Sequence, residues 1–125
     1  MLSKANLRFD IPVENLQSAK EYYAKVLGLS CNYENEFCAQ YRYGDSYFVL
    51  TPSESAGKAK HSLLTWLVDD IEFIKSWLEN RGVIFEDFDF GNVKTEEGIA
   101  ALGNDYVAWF KDSEGNLLAI AQVEN

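Results

Sequence analysis

Histidine is almost missing from this chain, and cysteine, proline and methionine are scarce: one His, two Cys, two Pro and one Met among 125 residues. Cys31 and Cys38 stand seven apart with no second Cys or His cluster, so no zinc-ligand spacing is present, and the two read as free thiols in strands. Cations are also in short supply. Eleven Lys and Arg face 20 Asp and Glu, a formal net charge of −9, which repels phosphate backbones and anionic lipid and argues against nucleic-acid or membrane-surface partners. No apolar run approaches the roughly 20 residues of a spanning helix. Met1 to Phe9 holds no secretory core, so the expectation is a cytoplasmic protein. What the chain does have is apolar and aromatic mass, 47% and 14% of residues, enough to build the core of one domain.

That mass is arranged as one pattern written twice. Phe9 to Leu29 and Thr65 to Val83 each run from an extended apolar stretch through a polar pair into a helical period and end on glycine. In the first copy Asn15 is placed to cap a helix whose apolar stripe is Leu16, Ala19, Tyr22, Tyr23, Val26 and Leu27, closed by Gly28. In the second, Asp69 or Asp70 caps, Ile71, Ile74, Trp77 and Leu78 form the stripe, and Gly82 closes it. Strand-like runs follow each helix: 30–34, 37–43 and 47–51 in the first copy, 83–88, 106–111 and 117–122 in the second. The stretch Asp112-Ser113-Glu114-Gly115 between the last two runs has the composition of a hairpin turn. Each half therefore reads β-α-β-β-β. A single helix covers one face of a four-stranded sheet and leaves a curved opposite face to meet another sheet or surround a ligand.

The expected layout is a single α+β domain: module 1 over 5–52, a polar flexible linker over 53–60, and module 2 over 61–123. The segment Asp89 to Asp105 has three glycines and no clear period beyond a short turn near Thr95 to Ala101, which fits a lid or pocket wall.

The quoted stretches "VENLQSAKEYYAKVLGL", "LVDDIEFIKSWLENRGV" and "AWFKDSEGNLLAI" together resemble the vicinal oxygen chelate superfamily, which includes glyoxalase I, extradiol dioxygenases, fosfomycin-resistance enzymes and bleomycin-resistance binding proteins. With Thr95 and Gly98 ahead of the last hairpin, the chain is most similar to small bacterial glyoxalase-like members. The resemblance covers nearly the whole chain. It implies two βαβββ modules forming a curved mixed sheet around a cavity, helices outside, a small-molecule ligand and a homodimer.

Metal-using members place four His, Gln or Glu ligands on the concave strands. Here the matching positions fall on Arg8, Phe48, Leu63 and Ala119, with Phe48 uncertain by one residue. Arg has no lone pair to give and the other three are hydrocarbon. No metal or other cofactor is therefore expected. His61 lies two residues from Leu63, a strand displacement of about 6.6–7 Å that takes it out of coordinating range. The alternative is a metal-dependent lyase or dioxygenase with displaced ligands such as His61, Glu97 or Glu114; a third is acid–base catalysis by Asp10 or a tyrosine.

On strand one, Leu7, Phe9 and Ile11 alternate with Arg8, Asp10 and Pro12, and the polar set is expected to face the concavity. Two accounts of Arg8 stand side by side: an internal ion pair with Asp10, or a donor fork for an anionic or carbonyl oxygen of a ligand. The expected binding set is Arg8, Asp10, Tyr41, Phe48, Leu63, Thr65, Trp109 and Ala119, around a partly aromatic guest.

Overall fold

The computed structural model describes residues 1–124. Two mixed sheets and two helices follow the doubled pattern. The first sheet has the order β1-β4-β3-β2, with β1 at Arg8–Val13, β2 at Tyr33–Glu34, β3 at Ala39–Tyr43 and β4 at Ser46–Pro52. The second has the order β5-β9-β8-β7-β6, with β5 at Leu64–Leu67, β6 at Thr95–Glu96, β7 at Ile99–Leu102, β8 at Asp105–Lys111 and β9 at Leu117–Gln122. In each module the opening strand runs parallel to the closing one, β1 beside β4 and β5 beside β9, and the helix makes the crossover. No helix of the described residues is long and apolar enough to cross a membrane.

Both helices start where the side-chain chemistry says they should. Asn15 Oδ1 accepts from Ser18 N at 3.0 Å to open α1 (Leu16–Lys25), and Asp70 Oδ1 accepts from Phe73 N at 3.1 Å to open α2 (Ile71–Glu79). Gly28, past the end of α1, sits at φ +73°, and a Cβ there would meet the Trp77 ring at 2.9 Å, so the turn needs glycine twice over.

Two stretches depart from the expected pattern. The run 83–88 forms no strand. Its backbone meets β8 through the isolated bridge Phe85↔Phe110 and the bond from Glu86 N to Trp109 O. Its Asp87 carboxylate is instead spent on Thr95 Oγ1 and Gly98 N, at 2.8 and 3.0 Å. The segment 95–102, expected as part of a loop, is a hairpin that adds β6 and β7 to the sheet. Its two-residue turn places Glu97 at φ 52° and Gly98 at φ +81°, the positive pair that such turns require.

One core serves both modules. Ile11, Val13, Tyr23, Phe48 and Leu50 of the first join Leu78, Phe110, Leu118 and Ile120 of the second in a single buried cluster. The β8–β9 turn locks the two together. The Tyr23 hydroxyl donates to Asp112 Oδ2 at 2.6 Å, while Asp112 Oδ1 accepts from Glu114 N and Asn116 N at 2.8 and 3.0 Å. Buried Asn116 donates to Pro12 O at the end of β1 at 2.7 Å and accepts from Gly57 N at 2.9 Å. The linker is thus pinned at Gly57 rather than free. The Glu114 carboxylate accepts from the backbone N–H groups of Glu14 and Asn15 at the start of α1, where a negative charge is favoured. At the other end of α1, Arg81 donates to the carbonyls of Lys25 and Val26 and lies over Trp77.

Replacing Asn116 by Ala leaves Pro12 O and Gly57 N without their buried partner, and we expect a loss of about 2–4 kcal/mol in urea unfolding. Burial, and then the Asp112 charge, pushes the Tyr22 phenol up to about 12 and Tyr23 well above 10; burial likewise raises Tyr41. These groups hold their protons more tightly folded than unfolded. Their contribution is intact below pH ~10 and is lost as pH rises above that, by up to about 1.4 kcal/mol per pH unit for buried Tyr23 and by less for half-exposed Tyr22, which solvent screens. Tyr23→Phe should flatten that alkaline decline by one proton's worth in pH-dependent urea midpoints.

Candidate functional site

Strand alternation splits each sheet into two faces, and side-chain contacts show which is which. In the first sheet Phe9, Phe48 and Tyr41 lie in one cross-strand row. That row faces the core: Phe48 stacks on Tyr41 at 4.8 Å and meets Tyr23 of α1 at 6.0 Å, and both Phe48 and Tyr41 are only 2% exposed. Glu34 reaches Lys20 of α1 at 2.8 Å, on the same side. The opposite, outward face therefore carries the row Arg8, Tyr47 and Arg42, and next to it Asp10, Val49, Gln40 and Tyr33.

Arg8 and Asp10 meet there as expected, Nε to Oδ1 at 3.0 Å. They stay 58% and 56% exposed, so their pair is a wet surface contact and not an internal one. Such pairs contribute about 0–1 kcal/mol and hold neither partner away from a ligand. Tyr41 and Phe48 do not join them. A strand's side chains alternate strictly, and Phe48 registers with Phe9, one of the core-facing residues of β1, so the pleat turns Phe48 and Tyr41 under the helix; the outward neighbour of Arg8 is Tyr47.

In the second sheet the outward row is Thr65, Ala119 and Trp109. Leu63 precedes β5, donates its N–H to Leu117 O, and by alternation shares the Thr65 side. Phe88 packs edge-on against Trp109 at 5.4 Å and Phe90 stacks on Phe88, so the irregular segment before β6 builds an aromatic wall at this face. The binding set expected from sequence is therefore spread over three places: Arg8 and Asp10 on one outward face, Leu63, Thr65, Trp109 and Ala119 on the other, and Tyr41 and Phe48 inside.

Between the sheets, at the seam of edge strands β1 and β5, lies a groove of about 350 Å³. Phe9, Tyr43, Tyr47, Phe48, Trp66 and Leu67 wall it, with Ser46 and Thr65 as polar points. Trp66 Nε1 donates to Tyr43 Oη at 2.8 Å across the seam, fixing both rings. Tyr47 belongs both to this groove and to the Arg8–Arg42 row. Tyr47 and Arg42 were not named from the sequence, whereas Tyr43 was expected beside Tyr41 at the cavity border. The signal available was the register of β3 against β4, which the Gly44-Asp45 turn sets. A second crevice, about 180 Å³ between α2 and Leu27, Leu29 and Trp66, is lined by hydrocarbon and aromatic rings alone and has no polar group to orient a guest.

The donor set fits a metal poorly. Of the four positions that would carry ligands, Arg8 is a cation paired to Asp10, Phe48 is in the core, and Leu63 and Ala119 have no donor atoms. The substitutes do not gather either: Glu114 is bound to the start of α1, Glu97 turns the β6–β7 hairpin, and His61 is exposed ahead of β5. Among the described residues no three His, Cys, Asp or Glu side chains stand close enough to hold an ion. Isothermal titration with Zn²⁺, Ni²⁺ or Mn²⁺ should show no stoichiometric site; one metal per chain would contradict this reading.

No family model matches the chain. No curated protein matches it. Solved structures do. TnmS3, an antibiotic binding protein from Streptomyces sp. CB03234, superposes with a TM-score of 0.71 at 19% identity over 99% of both chains. A lactoylglutathione lyase from Agrobacterium tumefaciens gives 0.71 at 15% identity over 95% of this chain and 93% of that one. A glyoxalase/bleomycin resistance protein from Streptomyces sp. CB03234 gives 0.65 at 22% identity over 94% of this chain and all of the other. At these identities the likeness is one of fold, and that fold has carried both binders and enzymes. The chain has the paired-module fold that these glyoxalase and bleomycin-resistance structures share.

Proposed function

We propose that this protein binds a small, partly aromatic organic molecule without a metal, at the seam groove and the outward face beside it. The observation that carries the reading is the groove itself: its aromatic walls are held by the Trp66–Tyr43 hydrogen bond, and Tyr47, one of them, stands in register with the exposed Arg8 on the adjoining face. Flat rings gain most from such walls, and a planar donor fork orients a carbonyl or anionic oxygen. The binding residues under this reading are Arg8, Asp10, Thr65 and the groove rings, with Leu63, Trp109 and Ala119 on the neighbouring sheet. The antibiotic-binding role of one fold neighbour, TnmS3, is in keeping with it. Acid–base catalysis by a buried tyrosine is disfavoured, because Tyr22, Tyr23 and Tyr41 hold their protons too tightly to act as bases near neutral pH.

The reading includes a homodimer. β1 and β5 are terminal strands of their sheets, and they expose Leu7, Phe9 at 46% and Leu67 at 69%, an apolar edge of the kind that proteins normally cover. Sedimentation at micromolar concentration should return twice the 14.2 kDa chain mass; a monomer at that concentration would contradict the pairing.

Binding is tested with 2-naphthamide, a neutral ring bearing one carbonyl, followed through the Trp66 indole NMR signal. Arg8→Leu should abolish measurable binding while leaving the unfolding midpoint within about 1 kcal/mol of the parent, since the lost ion pair is solvated. Unchanged affinity in Arg8→Leu would remove Arg8 from the site.

A further inference from the structure

We infer that the site prefers an anionic ring, and that a second arginine, Arg42, sets the preference. This rests on the reading that the groove and adjoining face bind a small aromatic molecule, and it goes further by naming the charge of the guest and the residue that reads it.

The register of three strands carries the argument. Arg8 on β1 and Arg42 on β3 both stand in register with Tyr47 of β4, so two arginines lie on either side of one tyrosine in a single row on the outward face. Neighbouring strands are about 4.8 Å apart, which separates the two arginine backbones by about 9–10 Å, the span of a bicyclic ring with a substituent. Tyr47 is half-buried and shared with the groove, which gives the ring a surface to stack on. Arg42 is exposed, and its guanidinium makes no ion pair among the described residues. Arg8 uses only its Nε on Asp10, so its terminal nitrogens remain available.

Charge makes the arrangement notable. The chain as a whole is −9, yet this row and its neighbour carry Arg8 and Arg42 against Asp10, with Asp45 in the adjoining turn, while Glu34 lies in the core-facing row and meets Lys20 there. A local cationic face on an acidic protein attracts a small anion at short range while the rest of the surface repels polyanions. Two donor forks on either side of a ring suit a carboxylate or an ionised phenol on a flat aromatic frame.

The test compares 2-naphthoate with 2-naphthamide, matched in shape and differing in charge, by NMR titration of the Trp66 indole and Tyr47 amide signals. The parent protein should bind the naphthoate about tenfold more tightly at low salt, with the difference shrinking in 0.5 M NaCl. Arg42→Met should remove most of that preference by weakening naphthoate binding more than naphthamide binding, with Arg42→Gln as a second variant on the same exposed position. Equal binding of the two probes by the parent overturns the anion preference while leaving the groove as a neutral site. A preference that survives in both variants overturns the role of Arg42 and assigns the charge to Arg8 alone. If neither probe binds, both this inference and the reading beneath it fail.

Discussion

One buried carboxylate holds the two halves of this molecule in place. Asp112 sits at the tip of the last hairpin, takes the Tyr23 hydroxyl from the other module, and accepts two backbone N–H groups of its own turn. Burying a carboxylate is costly unless it is fully satisfied, and here its neighbours supply four donors, the fourth being Asn116 Nδ2 at 3.2 Å. Asn116 extends the anchor to β1 and to the linker.

The second constraint is the pleat. Because successive side chains of a strand point to opposite faces, a residue is either under the helices or outward, never both. In the first module that rule sends Phe9, Phe48 and Tyr41 inward and Arg8, Tyr47 and Arg42 outward. In the second it sends Phe110 and Ile120 inward and leaves Thr65, Ala119 and Trp109 outward. The outward faces thus differ in kind, one charged and one smooth and aromatic. Among the described residues neither gathers three His, Cys, Asp or Glu side chains of the kind that would hold a divalent ion.

Much of the fold was legible in the sequence because its signals are local. Asn15 and Asp70 cap, Gly28 and Gly82 stop, and the hairpin between Trp109 and Leu117 has an unmistakable turn composition. The run 83–88 misled because its alternation is genuine but its hydrogen bonds go elsewhere, with Asp87 holding the next turn. The β6–β7 hairpin escaped notice because Glu97 occupies a positive-φ position usually left to Asn, Asp or Gly. The site was legible only in part. Arg8 and Asp10 follow from the parity of β1, whereas Phe48 and Tyr41 required the register between strands, and a one-residue uncertainty there inverts the face. That uncertainty at Phe48 spans Tyr47, the neighbour that the register sets opposite Arg8.

The central claim is that the site grips an organic guest through rings and guanidinium groups instead of an ion. Native mass spectrometry of protein purified gently and without chelator addresses it most directly. The account predicts subunits carrying an organic adduct, or none, and no mass for a bound transition metal. One metal ion per chain, retained through desalting, would contradict it.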